Sequence, residues 1–120
     1  MKQILIFNIN VGKINILKKI CEELSIRIVP ISRKDYSQKL GYLASIPGFK
    51  KNNINYKRSE LPSEMLVFSG LTSDDIDEFL ASYKKSMLPP INLKAVITMY
   101  NINWTPEALY SELLKEHMKM

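Results

Sequence analysis

Ile4-Leu5-Ile6-Phe7 is a continuous apolar run of the kind a strand covered on both faces carries, and it leads at once into a helix pattern. The same arrangement recurs. Ile26-Arg27-Ile28-Val29, Met65-Leu66-Val67-Phe68 and Ala95-Val96-Ile97-Thr98 are each followed by a stretch with helical signals. Strands that alternate with helices predict an α/β layer fold, because parallel neighbours need a crossover between them.

The first helix spans about Lys13 to Leu24. Ile14, Leu17, Cys21 and Leu24 recur at i, i+3, i+7 and i+10, which makes one apolar stripe, with Lys18, Lys19, Glu22 and Glu23 opposite. Cys21 on that stripe reads as a buried structural thiol. The second strand, near Ile26 to Ile31, is interrupted by Arg27 and Pro30 and suits a sheet edge. Ser32 resembles an N-cap with Asp35 three residues on, and Tyr36, Leu40, Leu43 and Ala44 make a helical face that Gly41 weakens.

After the third run, Thr72 is an N-cap with Asp75 at N3, and Leu71 is placed to staple onto Ile76. Acids crowd the first turns of this helix and Lys84-Lys85 its end, as the helix dipole favours. Pro89-Pro90 stops it. The last helix is capped by Thr105, with Pro106 at N1 and Trp104 placed to staple onto Leu109. The residues show no internal repeat.

The order β-α-β-α-loop-β-α-β-α predicts a small three-layer α/β/α domain over residues 1–120, with a four-stranded, mainly parallel sheet of order 2-1-3-4. Strands one and three are then central, which fits their unbroken apolar character; Pro30 and Lys94 mark two and four as edges. The alternative is a ferredoxin-like α+β sheet, with residues 32–62 as a helix-loop insertion.

Size and composition set bounds. A chain of 120 residues, 46% hydrophobic and 24% charged, is one ordinary domain with a real core, not a disordered segment. No apolar run approaches the roughly 20 residues that span a bilayer. Met1-Lys2-Gln3 enters a strand directly, without the apolar region of a signal peptide, and Cys21 stands alone. Cytoplasmic residence without membrane contact is the expectation. Charge is uneven: residues 1–58 carry 12 Lys/Arg against 3 acids, a net +9, and residues 59–120 carry 5 against 9, a net −4. Such asymmetry suits an anionic partner, a homo-oligomer held by opposed charge, or plain solubility.

Chemistry is harder to find. One His and one Cys make no paired metal-ligand spacing, and His117 reads as a solvated residue in the last helical turn. Glu22-Glu23 and Asp74-Asp75 are neighbours on a helix and do not face each other, so they are poor acid/base pairs. Gly12-Lys13 follows the first strand without a phosphate-loop motif. No catalytic residue and no cofactor is assigned.

Two binding surfaces remain. In an open α/β sheet, ligands sit beyond the carboxyl ends of the strands where strand order reverses. Between strands one and three, that rim would carry Asn8, Asn10, Ser69 and Gly70, with Thr98, Tyr100, Asn101 and Asn103 further along. These polar groups suit a small polar ligand or a protein, although Asn and Ser also simply end strands and cap helices. The second surface is the long basic loop at 47–62, where Lys50, Lys51, Lys57 and Arg58 interleave with Phe49 and Tyr56, cations for phosphates and aromatics for bases. The reading is a non-enzymatic ligand- or partner-binding module using the rim; the alternative is a nucleic-acid-associated protein using the loop.

Three segments carry a family likeness. Asp35-Tyr36-Ser37-Gln38-Lys39-Leu40-Gly41-Tyr42-Leu43-Ala44, the strand Glu64-Met65-Leu66-Val67-Phe68-Ser69-Gly70-Leu71, and Leu93-Lys94-Ala95-Val96-Ile97-Thr98 with Asn101-Ile102-Asn103-Trp104-Thr105 resemble small bacterial proteins of domain of unknown function 3783. The resemblance covers nearly the whole chain. It implies a bacterial cytosolic protein of this size and brings no activity, catalytic residue or cofactor.

Overall fold

The computed structural model describes residues 1–118. In chain order the elements are β1 (Gln3–Phe7), α1 (Val11–Glu23), β2 (Arg27–Ile31), a 3-10 turn (Arg33–Asp35), α2 (Leu40–Leu43), β3 (Met65–Ser69), α3 (Ser73–Lys85), β4 (Leu93–Val96) and α4 (Pro106–Met118). The four strands form one sheet of order β2-β1-β3-β4, as the sequence predicts. β1 runs parallel to β2, with Gln3 opposite Arg27, and β3 runs parallel to β4, with Met65 opposite Leu93. The sheet is therefore mainly parallel.

The central pairing is antiparallel. Gln3 stands opposite Ser69 and Phe7 opposite Met65. The ferredoxin-like alternative is not adopted: each βαβ unit pairs its own two strands directly, with no strand inserted between them. The connection between β2 and β3 runs to the far end of the sheet, where the Ala44 carbonyl accepts from Gln3 Nε2, and returns to Leu61, whose carbonyl accepts from Asn8 Nδ2. The chain re-enters at the end where β2 left.

Side chains of each strand alternate between the faces. Ile4, Ile6, Leu66 and Phe68 point to one face, where Leu17, Ile20 and Cys21 of α1 and Phe79 and Tyr83 of α3 cover them. Leu5, Phe7, Met65, Val67 and Leu93 point to the other, under Tyr36, Leu40, Leu43, Leu61, Leu109 and Tyr110. This makes three layers, and it explains why β1 and β3 lack polar alternation: both faces are buried.

The backbone contains a repeat that the residues conceal. β1 and β3 begin at residues 3 and 65, and α1 and α3 at 11 and 73, a constant offset of 62 between elements of equal length. Left-handed residues recur with it: Asn8 (φ 52°) and Gly70 (φ 76°) after the strands, Ser25 (φ 57°) and Met87 (φ 63°) after the helices. So do the N-caps, with Asn10 Oδ1 accepting from Gly12 N–H and Thr72 Oγ1 from Asp75 N–H. The two βαβ halves are thus related by an approximate twofold through the β1–β3 pair. They diverge afterwards, because the α3–β4 connection is four residues longer, as the registers Gln3–Arg27 and Met65–Leu93 require.

One expected helix does not form. Residues 33–44 give a 3-10 turn and the single turn α2, and Ser32 makes no side-chain cap. The N–H groups of Leu40 and Gly41 donate instead to the carbonyls of Trp104 (2.8 Å) and Ile102 (2.9 Å), tying this segment to the chain before α4. Gly41 lets the Phe49 ring approach to 2.7 Å of where a Cβ would stand. The capping box of α3 forms as expected, with Thr72 N–H donating to Asp75 Oδ2 at 2.8 Å. No helix among the described residues is long and apolar enough to cross a membrane.

Burial pushes the Cys21 thiol up to about 11. Tyr36 is fully buried, and burial together with its hydrogen bond to the Glu60 carboxylate raises its phenol well above the ordinary value.

These features make two predictions. Ser25→Gly and Met87→Gly should each stabilise the fold by about 0.5–1 kcal/mol, since glycine adopts positive φ freely. Gly70→Ala should cost about 1–3 kcal/mol, since its Cβ would collide with the Met1 carbonyl oxygen at φ 76°. Urea midpoints check all three. Because Cys21 and Tyr36 keep their protons in the native state, the unfolded chain releases protons first as pH rises through their ordinary values of 9.0 and 10.0. Stability should therefore fall with rising pH above about 9, and Cys21→Ala should flatten part of that slope; a level profile to pH 11 would contradict it.

Candidate ligand-binding site

The antiparallel centre splits the rim that the sequence assembled. The carboxyl end of β1, with Asn8 and Asn10, lies beside the start of β3; Ser69 and Gly70 lie beside Gln3 at the opposite end, about 14 Å away at strand rise. The predicted cleft between strands one and three does not exist. Ser69, Gly70 and Thr98 do come together, since β4 is parallel to β3, in a concavity of about 580 Å³ that Met1 and Met99 also line. Asn8 and Asn10 line another, of about 540 Å³, with Lys13, Glu64 and Pro89.

At both ends the polar groups are used by the chain itself. Asn8 Nδ2 donates to the Leu61 carbonyl at 2.8 Å. Asn10 caps α1, and its N–H donates to Glu64 Oε2 at 2.7 Å. Lys13 Nζ donates to Glu64 Oε1 at 2.6 Å, with Lys13 almost fully buried. The anion that the N-terminus of α1 favours is thus the protein's own Glu64. At the other end Ser69 is a buried strand residue, and Gly70 allows the Met1 carbonyl to approach. Asn101 is buried, accepting from Thr98 N–H (2.9 Å) and donating to the Val96 carbonyl (3.0 Å), so it shapes its own turn. Asn103 is exposed.

The 47–62 loop is tied to the rest of the fold by hydrogen bonds and packing. Gln38, a buried polar residue, exchanges two hydrogen bonds with the Asn52 backbone, at 2.9 and 3.1 Å. Asn52 Nδ2 donates to the Ser37 carbonyl and Ser37 Oγ to the Ile54 carbonyl. Phe49 is half-buried on Gly41. Tyr56 packs edge-on against Tyr36 and donates to Glu107 at 2.9 Å, and Arg58 pairs with the same carboxylate at 2.6 Å. The interleaved aromatics therefore face inward, and Arg58 is neutralised. Lys50, Lys51 and Lys57 remain exposed.

Between this loop and the 3-10 turn lies a concavity of about 900 Å³. Lys34 and Lys51 line it, with Gln38, Asn52, Asn53 and Asn55; Asp35 is the one acid among its lining residues. Neither lysine is in an ion pair among the described residues. Sequence reasoning found Lys51 but missed Lys34, Gln38 and the three asparagines. Only the fold of the loop back onto residues 34–38 joins them, and no spacing signals that. Among the described residues no group of three or more His, Cys, Asp or Glu gathers in one place.

The family model described as domain of unknown function (DUF3783) matches residues 64–120, which is the second βαβ half with α4. The match bears out the resemblance of the second and third segments; the stretch 35–44 lies outside it. No curated protein and no solved structure matches the chain.

The Lys13–Glu64 pair should behave as a locking contact. Lys13→Ala alone is expected to cost about 2 kcal/mol, since it leaves Glu64 half-buried and unpaired. Lys13→Met combined with Glu64→Leu should recover most of that loss; a double variant as unstable as the sum of two singles would show the pair uncoupled.

Proposed function

We propose from the geometry that the chain, whose residues 64–120 match the model of the family described as domain of unknown function (DUF3783), is a non-enzymatic binding module that takes an anionic, hydrogen-bonding ligand in the basin between residues 34–38 and 51–55. The observation that carries this reading is that Lys34 and Lys51, neither in an ion pair among the described residues, share a concavity of about 900 Å³ with Asn53 and Asn55. Ammonium groups recognise phosphate or carboxylate as point charges, and amides orient a polar body by donating and accepting. The strand-end candidates support it less, because Asn8, Asn10 and Asn101 already hold backbone groups. The nucleic-acid alternative is also weakened. With Phe49 and Tyr56 turned inward, the loop offers single-stranded bases no stacking platform.

Native mass spectrometry of the protein purified from its own cells tests this. A retained anionic species is expected, removed by the double variant Lys34→Glu/Lys51→Glu. A bare chain, or a species held equally by the variant, would sink the reading. A retained oligonucleotide lost on mutating Lys50 and Lys57 would favour the alternative.

A further inference from the structure

A smaller cavity, of about 360 Å³, lies across the sheet from that basin, between α3, β4 and the connection 86–92. Leu66, Phe79, Leu80, Leu88 and Ile91 make its walls apolar. Two lysines, Lys94 and Lys84, stand at the cavity. Lys94, on β4 opposite Leu66, donates to the Ile91 carbonyl at 2.6 Å, and no carboxylate pairs with it among the described residues. Burial lowers the ammonium's pKa, the cost of holding a cation against hydrocarbon. Lys84 stands at the same cavity on α3 and is exposed.

The repeat shows that the fold does not need this lysine. In the first half the matching position is Ile28, opposite Ile4 as Lys94 is opposite Leu66. Ile28 packs into the core with Leu24 and Ile26. In the second half a cation replaces that isoleucine, and the four additional residues of the α3–β4 connection supply Leu88, Pro90 and Ile91 as a wall. Cavity and lysine are both departures from the shared plan, and they coincide.

We propose that this cavity binds a monocarboxylate with a hydrocarbon body, its carboxylate on Lys94 and its chain against Leu66, Phe79 and Leu88. Lys94 has three N–H donors and one protein acceptor, so two remain for a ligand. A carboxylate supplies the missing countercharge, and an apolar body matches the walls. The volume lies in the range of small-molecule sites, at its lower end, which suits a medium-chain or single-ring acid. The site lies across the sheet from the Lys34–Lys51 basin and does not depend on it.

Isothermal titration of the full chain with octanoate, octan-1-ol and octylamine tests this. Octanoate should bind saturably, on the order of tenfold tighter than octanol, with octylamine weaker still. Lys94→Met should fold with an undiminished urea midpoint and bring octanoate down to the affinity of octanol. Lys34→Glu/Lys51→Glu should leave octanoate binding unchanged. In the wild-type protein, octanoate should shift the amide resonances of Leu66, Phe79 and Lys94. Equal affinity for octanoate and octanol, undiminished binding by Lys94→Met, shifts confined to the other face, or no saturation with octanoate would each overturn the proposal.

Discussion

The antiparallel contact between β1 and β3 is the constraint on which the rest of this molecule depends. It joins two βαβ halves of the same length and cap pattern across an approximate twofold, so that α1 and α3 pack side by side on one face. Those helices cover Ile4, Ile6, Leu66 and Phe68, and they leave Leu5, Phe7, Met65 and Val67 bare on the other face. Residues 33–61 and α4 are needed to bury that second surface. Without the layer they form, apolar strand residues on a whole side of the sheet would meet water.

That second layer is held by specific contacts more than by regular secondary structure. Leu40 and Gly41 hydrogen-bond to the backbone at 102–104, Gln38 to that of Asn52, and Ser37 to that of Ile54. Tyr36 reaches Glu60, and Tyr56 reaches Glu107 on α4. Backbone groups of a segment without helix or strand need such partners when water is excluded. The amide-rich composition of residues 37–55 is therefore structural first. The basin it leaves is polar for the same reason, and Lys34 and Lys51 add charge that no ion pair among the described residues uses.

The two halves also show how a duplicated plan acquires difference. Asn8 and Gly70 occupy one backbone conformation, yet Asn8 holds the Leu61 carbonyl while Gly70 makes room for Met1. Asn10 and Thr72 both cap helices, but the anion beside the first is Glu64, from far along the chain, and beside the second Asp75, from the same turn. Because the residue identities differ at nearly every matched position, the repeat is visible in dihedral angles and lengths and invisible in the letters.

The sequence by itself determined the number and order of the strands, the three long helices, the doubly buried character of β1 and β3, the caps of α3 and α4, and the strand order 2-1-3-4. These follow from local hydrophobic periodicity and from rules that act between neighbours in the chain. Only the tertiary structure decided that β3 runs against β1, and with it that Asn8 and Asn10 lie far from Ser69 and Gly70. It also decided that residues 33–44 do not form one helix and that residues 47–62 pack against the fold. The physical reason is common to all of these. A run such as Met65-Leu66-Val67-Phe68 buries the same side chains whichever way it points, and a polar residue's partner is chosen by what folding brings within hydrogen-bond reach.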